Sequence, residues 1–510
     1  MNDEPAATVT ASPGHIARRV ELTADVGSPA FTSLIPWWPI SSGASGCRPD
    51  ISVSTLKFTD MEYKPPTHIL EVLQKIEYEE ALPDGDPRYV ETQAARGSER
   101  TFARLARKFG WDPATNAFFA PNDKHVLFFG HIGSGKTTEL RRYAGKLNES
   151  KRFYVVEVDV LAKLDRNNLQ YTEALMAMAE TLLERLNADG YSLGEDALQP
   201  VRDWFASAIQ TRSTNREFSA DLKTGIEAGG GIPGIVKLFA GFTTAFKTGS
   251  SQKSEWRQEI RNGFTTLAVA FSNLIRTAEA ELVQTGRAER VLFLIDGTDK
   301  MRNEDTQHFF VHDAEQLLAI QTLAIYTAPL HLKYDGRLGG KLDADMVLPM
   351  VKLQERDGSP FPPGLLAMHE LLLRRADISL FASDAEAKRL VEYSGGHPRE
   401  LLRLLKLCCE FAYDTIDAAV VQRAIEQLAS DYRYFLKPAD YVLLKNIDSN
   451  PAHGGNDEQA QELLHRLALL QYNDGTWRRS HPVVRTLEGY KLAVVPVADA
   501  APVSAAAPPA

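Results

Sequence analysis

The sequence predicts an α/β fold: a parallel sheet with helices on both faces, then a helical unit, then a smaller unit of helices and a β-hairpin. Three observations predict it. Five apolar runs are rich in Val and Leu without regular alternation, as strands covered on both faces are: HVLFF at 125–129, RFYVVEVDV at 152–160, RVLFLID at 290–296, LAIYTAP at 323–329 and MVLPMVKL at 346–353. Helical stretches separate them, as crossovers between parallel strands do. The first run also passes straight into GHIGSGKTT at 130–138 and then ELRRYAGKL at 139–147, whose Leu140, Tyr143 and Leu147 share one helical side.

The third observation is also chemistry. A G-x-x-x-x-G-K-T loop between a strand and a helix is the phosphate-binding loop of a P-loop NTPase core. Gly130, Gly133 and Gly135 let the backbone curl, so that the N–H groups of His131, Ile132, Ser134 and their neighbours point inward. The helix that begins near Lys136, Thr137 and Thr138 adds its positive end. Lys136 is expected on the β- and γ-phosphates and the Thr137 hydroxyl on Mg²⁺. The implied ligands are ATP and Mg²⁺. A second element, VLFLIDGTDK at 291–300, places Asp296 at the tip of a buried strand, where it can hold the Mg²⁺ water shell beside Thr137. Asp299, three residues on, either orients the attacking water as general base or caps the next helix. Lys136, Asp296 and Asp299 are the candidate catalytic residues, and Thr137 and Asp296 the candidate metal ligands.

Taken in order, residues 1–64 are rich in Ser, Ala, Pro and Gly and read as a flexible arm; Trp37 and Trp38 in SLIPWWPI either pack on the parent domain or anchor a partner. The core is expected over 65–355, with an insertion at about 165–285. That insertion opens with a Met- and Leu-rich helix at 173–186 and continues through a glycine-rich piece at 225–251, expected as a hairpin or short helix on the domain edge. Ile260, Phe264, Leu267, Phe271, Leu274 and Ala278 then form one stripe along a helix of roughly 25 residues, facing either the sheet or a second copy of the chain. Residues 356–431 are helical throughout and form a lid. From 432 to 490, helices near 438–446 and 457–468 precede LLQYNDGTWRRSHPVVR, where Asn473-Asp474-Gly475 makes a hairpin turn, the order of a winged helix. Residues 491–510 read as a disordered Ala/Pro tail.

Composition narrows the function. The formal charge of −10 gives no global field toward nucleic acid or an anionic membrane. Three cysteines supply neither a disulfide framework nor a zinc site. The sequence has no uninterrupted apolar run of membrane-spanning length and no apolar start, so a cytoplasmic protein without a membrane partner is expected.

Three stretches resemble the STAND class of signal-transduction ATPases and their origin-recognition-like relatives in the AAA+ superfamily. GHIGSGKTTEL resembles the GHxGxGKSTEL form of bacterial members, IDGTDK the hhhhD-G-x-D form of the second motif, and SGGHPRELLRLL at 394–405 the GxP motif of the lid. The resemblance implies that Thr327 reads the γ-phosphate, and that His397, Pro398 and Arg399 close the lid on the nucleotide. It further implies that His481 approaches the phosphates and that Tyr89, Val90 and Arg96 flank the adenine. Position 297 is glycine where AAA+ motors carry the general-base glutamate, which implies slow hydrolysis. Arg257, Arg261 and Arg302 are equal candidates for an arginine finger.

Two functions compete. One is a STAND-type switch in which ATP drives closure and homo-oligomer assembly and hydrolysis resets it; the resemblance adds a separately encoded effector and, by analogy, anti-phage defence. The other is a DNA-handling ATPase similar to origin-recognition or transposition helper proteins, with Arg478 and Arg479 of the hairpin on nucleic-acid phosphates.

Overall fold

The computed structural model describes residues 63–97, 100–165, 169–211, 231–247, 253–335, 338, 342, 344–453 and 457–494. The expected arm up to residue 62, Trp37 and Trp38, residues 225–230 and 248–251 of the glycine-rich piece, and the tail from 495 lie outside them.

The core is a five-stranded sheet: β1 (Lys124–Gly130), β2 (Phe153–Asp159), β3 (Arg290–Asp296), β4 (Leu323–Pro329) and β5 (Ala344–Val347), in the order β2-β3-β4-β1-β5. Every pairing is parallel. The fold is the α/β P-loop NTPase core expected. Four of the apolar runs are strands almost end to end. The fifth stops at Val347, because Leu348 leaves the ladder to bond Phe129 alone and Pro349 has no N–H to donate.

Alternate residues of each strand feed two cores. Val126, Phe128, Val155, Leu292 and Leu294 pack with α2 (Thr101–Lys108) and α3 (Lys136–Glu149) through Leu105, Leu140, Tyr143 and Leu147. Leu127, Phe129, Tyr154, Val156 and Phe293 face the other way, toward the insertion. Burial on both faces is why the strands read as near-continuous apolar runs; β2 alternates only at its end, where Glu157 and Asp159 are exposed.

The insertion is helical: α4 (Tyr171–Ala188), α5 (Glu195–Thr211), α6 (Ile232–Lys247), α7 (Lys253–Asn262) and α8 (Phe264–Gln284). The described part of the glycine-rich piece, 231–247, is a helix from Ile232, the second of its two expected forms, and not a hairpin. Its α6 packs on α4 with Ile235, Leu238 and Phe239 buried. The long stripe is two helices rather than one. Gly263 interrupts it, since a Cβ there would lie 2.7 Å from Trp204 Nε1, and that indole donates to the Gly263 carbonyl at 3.1 Å. All six stripe residues are buried within this chain, so the stripe offers no face to a second copy.

The lid comprises α9 (Pro362–Leu373), α10 (Asp384–Tyr393), α11 (Pro398–Phe411) and α12 (Ala418–Arg433); α13 (Pro438–Ser449), α14 (Glu458–His465) and the antiparallel pair β6 (Leu469–Tyr472) and β7 (Trp477–Ser480) follow. Asn473 and Gly475 turn the hairpin with φ of 46° and 96°. The lid motif docks through a glycine: a Cβ on Gly396 would sit 1.9 Å from the Val351 carbonyl, so only glycine lets α11 approach the chain beyond β5.

Candidate functional site

The carboxyl ends of β1, β3 and β4 meet at one edge of the sheet, where ligands of open α/β sheets bind. Gly130 ends β1; His131, Ile132, Gly133, Ser134 and Gly135 make the loop; Lys136, Thr137 and Thr138 open α3. Gly133 and Gly135 adopt φ of 85° and 92°, the left-handed conformation that turns successive N–H groups to one side.

Lys136 is buried, and its Nζ donates to the Gly130 and His131 carbonyls at 2.9 Å each. Its third partner is Asp299 Oδ2 at 2.7 Å. Asp299 is thus the counter-ion of Lys136 in this state, which neither of its two expected roles describes. Burial alone would push its carboxyl up; the Lys136 ammonium outweighs burial and holds it below the usual range. Thr137 Oγ1 donates to Asp296 Oδ1 at 3.0 Å. Burial first, and the charge of Asp299 second, raise the Asp296 carboxyl.

Thr327 makes no hydrogen bond to the loop. Its hydroxyl accepts from the Gly297 N–H at 3.0 Å and its carbonyl accepts from the Thr298 hydroxyl, so it fixes the turn that carries Asp299. Thr138 turns away and accepts from the Leu82 N–H at 3.2 Å, tying the segment before β1 to α3.

The lid reaches the same loop. His397 Nδ1 caps α11 by accepting from Glu400 N–H at 3.3 Å, and Nε2 lies 3.0 Å from the Ile132 carbonyl, so the imidazole is neutral with its proton on Nε2. Pro398 takes the first turn of α11. Arg399 lies across the loop: a Cβ on Gly133 would be 2.7 Å from its Nε. That Nε and the Ser134 hydroxyl are buried without a hydrogen-bond partner.

A contact not foreshadowed by any motif comes from the C-terminal hairpin. The Gln471 backbone N–H donates to His131 Nε2 at 2.9 Å. Burial, and then the Lys136 charge, push His131 down to about 3, so it accepts as a neutral ring. Gln471 Oε1 in turn accepts from the Tyr334 hydroxyl and from Arg478 Nε.

The remaining expected residues lie as follows. Arg478 is buried over the Tyr334 ring, 4.5 Å from its centre, whereas Arg479 is half-buried and donates to the Arg356 carbonyl at the surface. His481 is buried and stacked on Tyr432 at 5.1 Å. Arg257 is buried in an ion pair with Glu173 and is no free finger; Arg261 bonds Gln170, while Arg302 is exposed. Arg96 anchors the loop, donating to the Ser134 carbonyl at 2.8 Å and to the Pro349 carbonyl. Tyr89 bonds Glu139 at 3.2 Å, and Val90 is buried; with Tyr78, Leu371, Pro398 and Leu402 they line a narrow cleft leading away from Gly133 and Gly135.

These residues fit a nucleotide and a hard cation. The unpartnered Arg399 Nε and Ser134 hydroxyl suit phosphate oxygens. Among the described residues no group of three or more His, Cys, Asp or Glu could hold a metal. A cation beside Thr137 and Asp296 would rely on substrate phosphates and water for its remaining ligands, as Mg²⁺ commonly does.

No protein-family model matches the chain, and no curated protein matches it. Solved structures similar to it include a Walker-type ATPase of Pyrococcus abyssi (12% identity, 80% of this chain and 99% of that one, TM-score 0.36). Also similar are the Thermotoga maritima RuvB Holliday junction branch migration motor (14%, 80% and 98%, 0.30) and Cdc6p of Pyrobaculum aerophilum (11%, 82% and 96%, 0.34). The fold rests on this chain's own strand order and loop. Among the described residues no helix is long and apolar enough to cross a membrane.

Proposed function

We propose that the protein is a Mg²⁺-dependent, slowly hydrolysing ATPase that works as a nucleotide-controlled switch of the STAND type. One observation carries this reading: the loop built for the triphosphate is also the loop that the lid and the C-terminal hairpin hold. His397 meets the Ile132 carbonyl, Arg399 crosses Gly133, and Gln471 bonds His131. Nucleotide and closure therefore compete for, or share, the same few atoms, which is how a ligand gains different affinity for two states.

The chain's own residues supply the chemistry. On ATP binding, Lys136 turns from the loop carbonyls and Asp299 to the β- and γ-phosphates. Ser134 and Arg399 find in phosphate oxygens the partners they lack. Thr137 and Asp296 would hold the cation, which when bound neutralises phosphate charge. Release of Asp299 from Lys136 frees a carboxylate to orient water; until then it is a weak base. With Gly297 beside Asp296, no second carboxylate stands ready, and turnover is slow. Homo-oligomer assembly, action on a separately encoded effector and a setting in anti-phage defence are supported by the likeness of the three motif stretches alone. DNA handling keeps no support from Arg478, which is buried against Tyr334.

Steady-state ATP hydrolysis and nucleotide binding by wild type and Lys136→Ala test the proposal. The variant should lose turnover and bind ATP far more weakly with its fold intact. Unchanged turnover contradicts it.

A further inference from the structure

Beside the nucleotide cleft lies a second cavity, of about 450 Å³, within the range of small-molecule sites. Glu80, Leu82, Arg88, Arg375 and Leu402 border both spaces, so the two share a wall. The far side is formed by the start of the described chain, Tyr63, Lys64 and Pro66, with Lys75 and Ile76 after α1 (Ile69–Lys75). The Tyr63 hydroxyl pins that side to the lid by donating to the Arg374 carbonyl at 2.6 Å.

Arg375 has no use in the ATPase chemistry. Its side chain is half-buried in the shared wall, and Nη1 donates to the backbone carbonyl of Arg88. Among the described residues no carboxylate is within ion-pair distance of it. Of the carboxylates nearby, Glu77 lies exposed on the cavity's lining, and two are taken: Arg88 holds Asp86 through Nε and Nη2 at 3.0 and 2.8 Å, and Glu80 through Nη1 and Nη2 at 2.8 Å each. Lys75 is paired with Glu71. Burial, reinforced by the charge of Arg88, pushes the Arg375 guanidinium down to about 10. A half-buried cation beside a second cation is costly without a counter-anion, and a guanidinium fork matches phosphate in shape. The walls thus offer two kinds of surface: Arg375, with exposed Lys64 at the mouth, for an anion, and Pro66, Ile76, Leu82 and Leu402 for an apolar or planar group.

We propose that this cavity is a second binding site, separate from the phosphate loop, for a phosphorylated small molecule of about nucleotide size, with Arg375 receiving the phosphate. Because Arg88, Arg375 and Leu402 belong to both walls, occupancy here and at the nucleotide cleft are coupled, and each ligand alters the affinity of the other by the same factor.

Pyrophosphate is the probe, titrated calorimetrically into the full chain after a non-hydrolysed ATP analogue has saturated the phosphate loop. One further equivalent should bind. Arg375→Met, which keeps the bulk and removes the charge, should weaken that binding at least tenfold and melt no lower than wild type. Lys64→Ala, an exposed change at the mouth that leaves the fold alone, should weaken pyrophosphate about threefold and carries the test if Arg375→Met does not fold. Absence of pyrophosphate binding once the loop is saturated overturns the proposal. So does wild-type binding by both variants, or loss of the ATP analogue in Arg375→Met, which would make Arg375 part of the first site. Lys136→Ala separates this site from the ATPase reading: it should lose the analogue and still take one pyrophosphate, whereas undiminished analogue binding counts against the ATPase reading alone.

Discussion

At the scale of single residues, the site turns on who holds Lys136. Its three bonds, to two loop carbonyls and to Asp299, must all be exchanged when phosphate arrives. Asp296 and Asp299, three residues apart, therefore differ in role. Asp296→Ala should impair Mg²⁺-supported nucleotide binding. Asp299→Asn should leave binding nearly intact and slow hydrolysis on the order of 10²-fold, because the freed carboxylate orients water. Equal and mild effects in the two variants, measured by calorimetry and single turnover, would reduce Asp299 to a counter-ion. Lys136, Thr137 and Asp296 were legible because their motif is local and its strand and helix flanks are local too. Arg96 and Gln471 were not. Gln471 meets His131 across 340 residues of chain through a backbone N–H, which any residue type could supply.

At the scale of elements, closure rests on buried neutral imidazoles. Burial lowers His131 and His481 to about 3 from 6.5, and His397 well below 6.5. Each such ring stays neutral in the fold while the unfolded chain takes up a proton. Its stabilising share is therefore complete above about pH 6.5 and drains as pH falls from there toward 3. His481→Phe keeps the stack on Tyr432 and removes one titrating ring. Between pH 7.5 and 5.5 the wild type should lose about 1 kcal/mol more unfolding free energy than this variant. Equal losses would mean that His481 does not titrate as its burial demands. The insertion shows where element-scale inference stopped. Spacing alone indicated an apolar helix over Ile260–Ala278, but the break at Gly263 depends on Trp204, which packs there from α5. The stripe's burial was undecidable from sequence because sheet and partner copy both favour an apolar face.

At the scale of the whole molecule, the sheet followed from apolar runs and the phosphate loop, whereas the docking of lid and hairpin on that loop did not. Removing the hairpin arginines probes this docking. Arg478→Ala with Arg479→Ala should loosen the closed arrangement through Tyr334 and Gln471, seen as faster nucleotide release. It should leave any duplex-DNA binding and its salt dependence unchanged; a salt slope flattened by about 2 would restore the DNA-handling reading. Since the Ile260–Ala278 stripe is spent inside the chain, the proposed assembly would have to use another face.

The measurement closest to the central claim is the molecular mass of the full chain in solution by sedimentation with ADP and with a non-hydrolysed ATP analogue. The account predicts larger, closed homo-oligomers with the analogue than with ADP, and loss of that difference in Arg399→Ala without loss of solubility. A single mass in the apo, ADP and analogue states would contradict it.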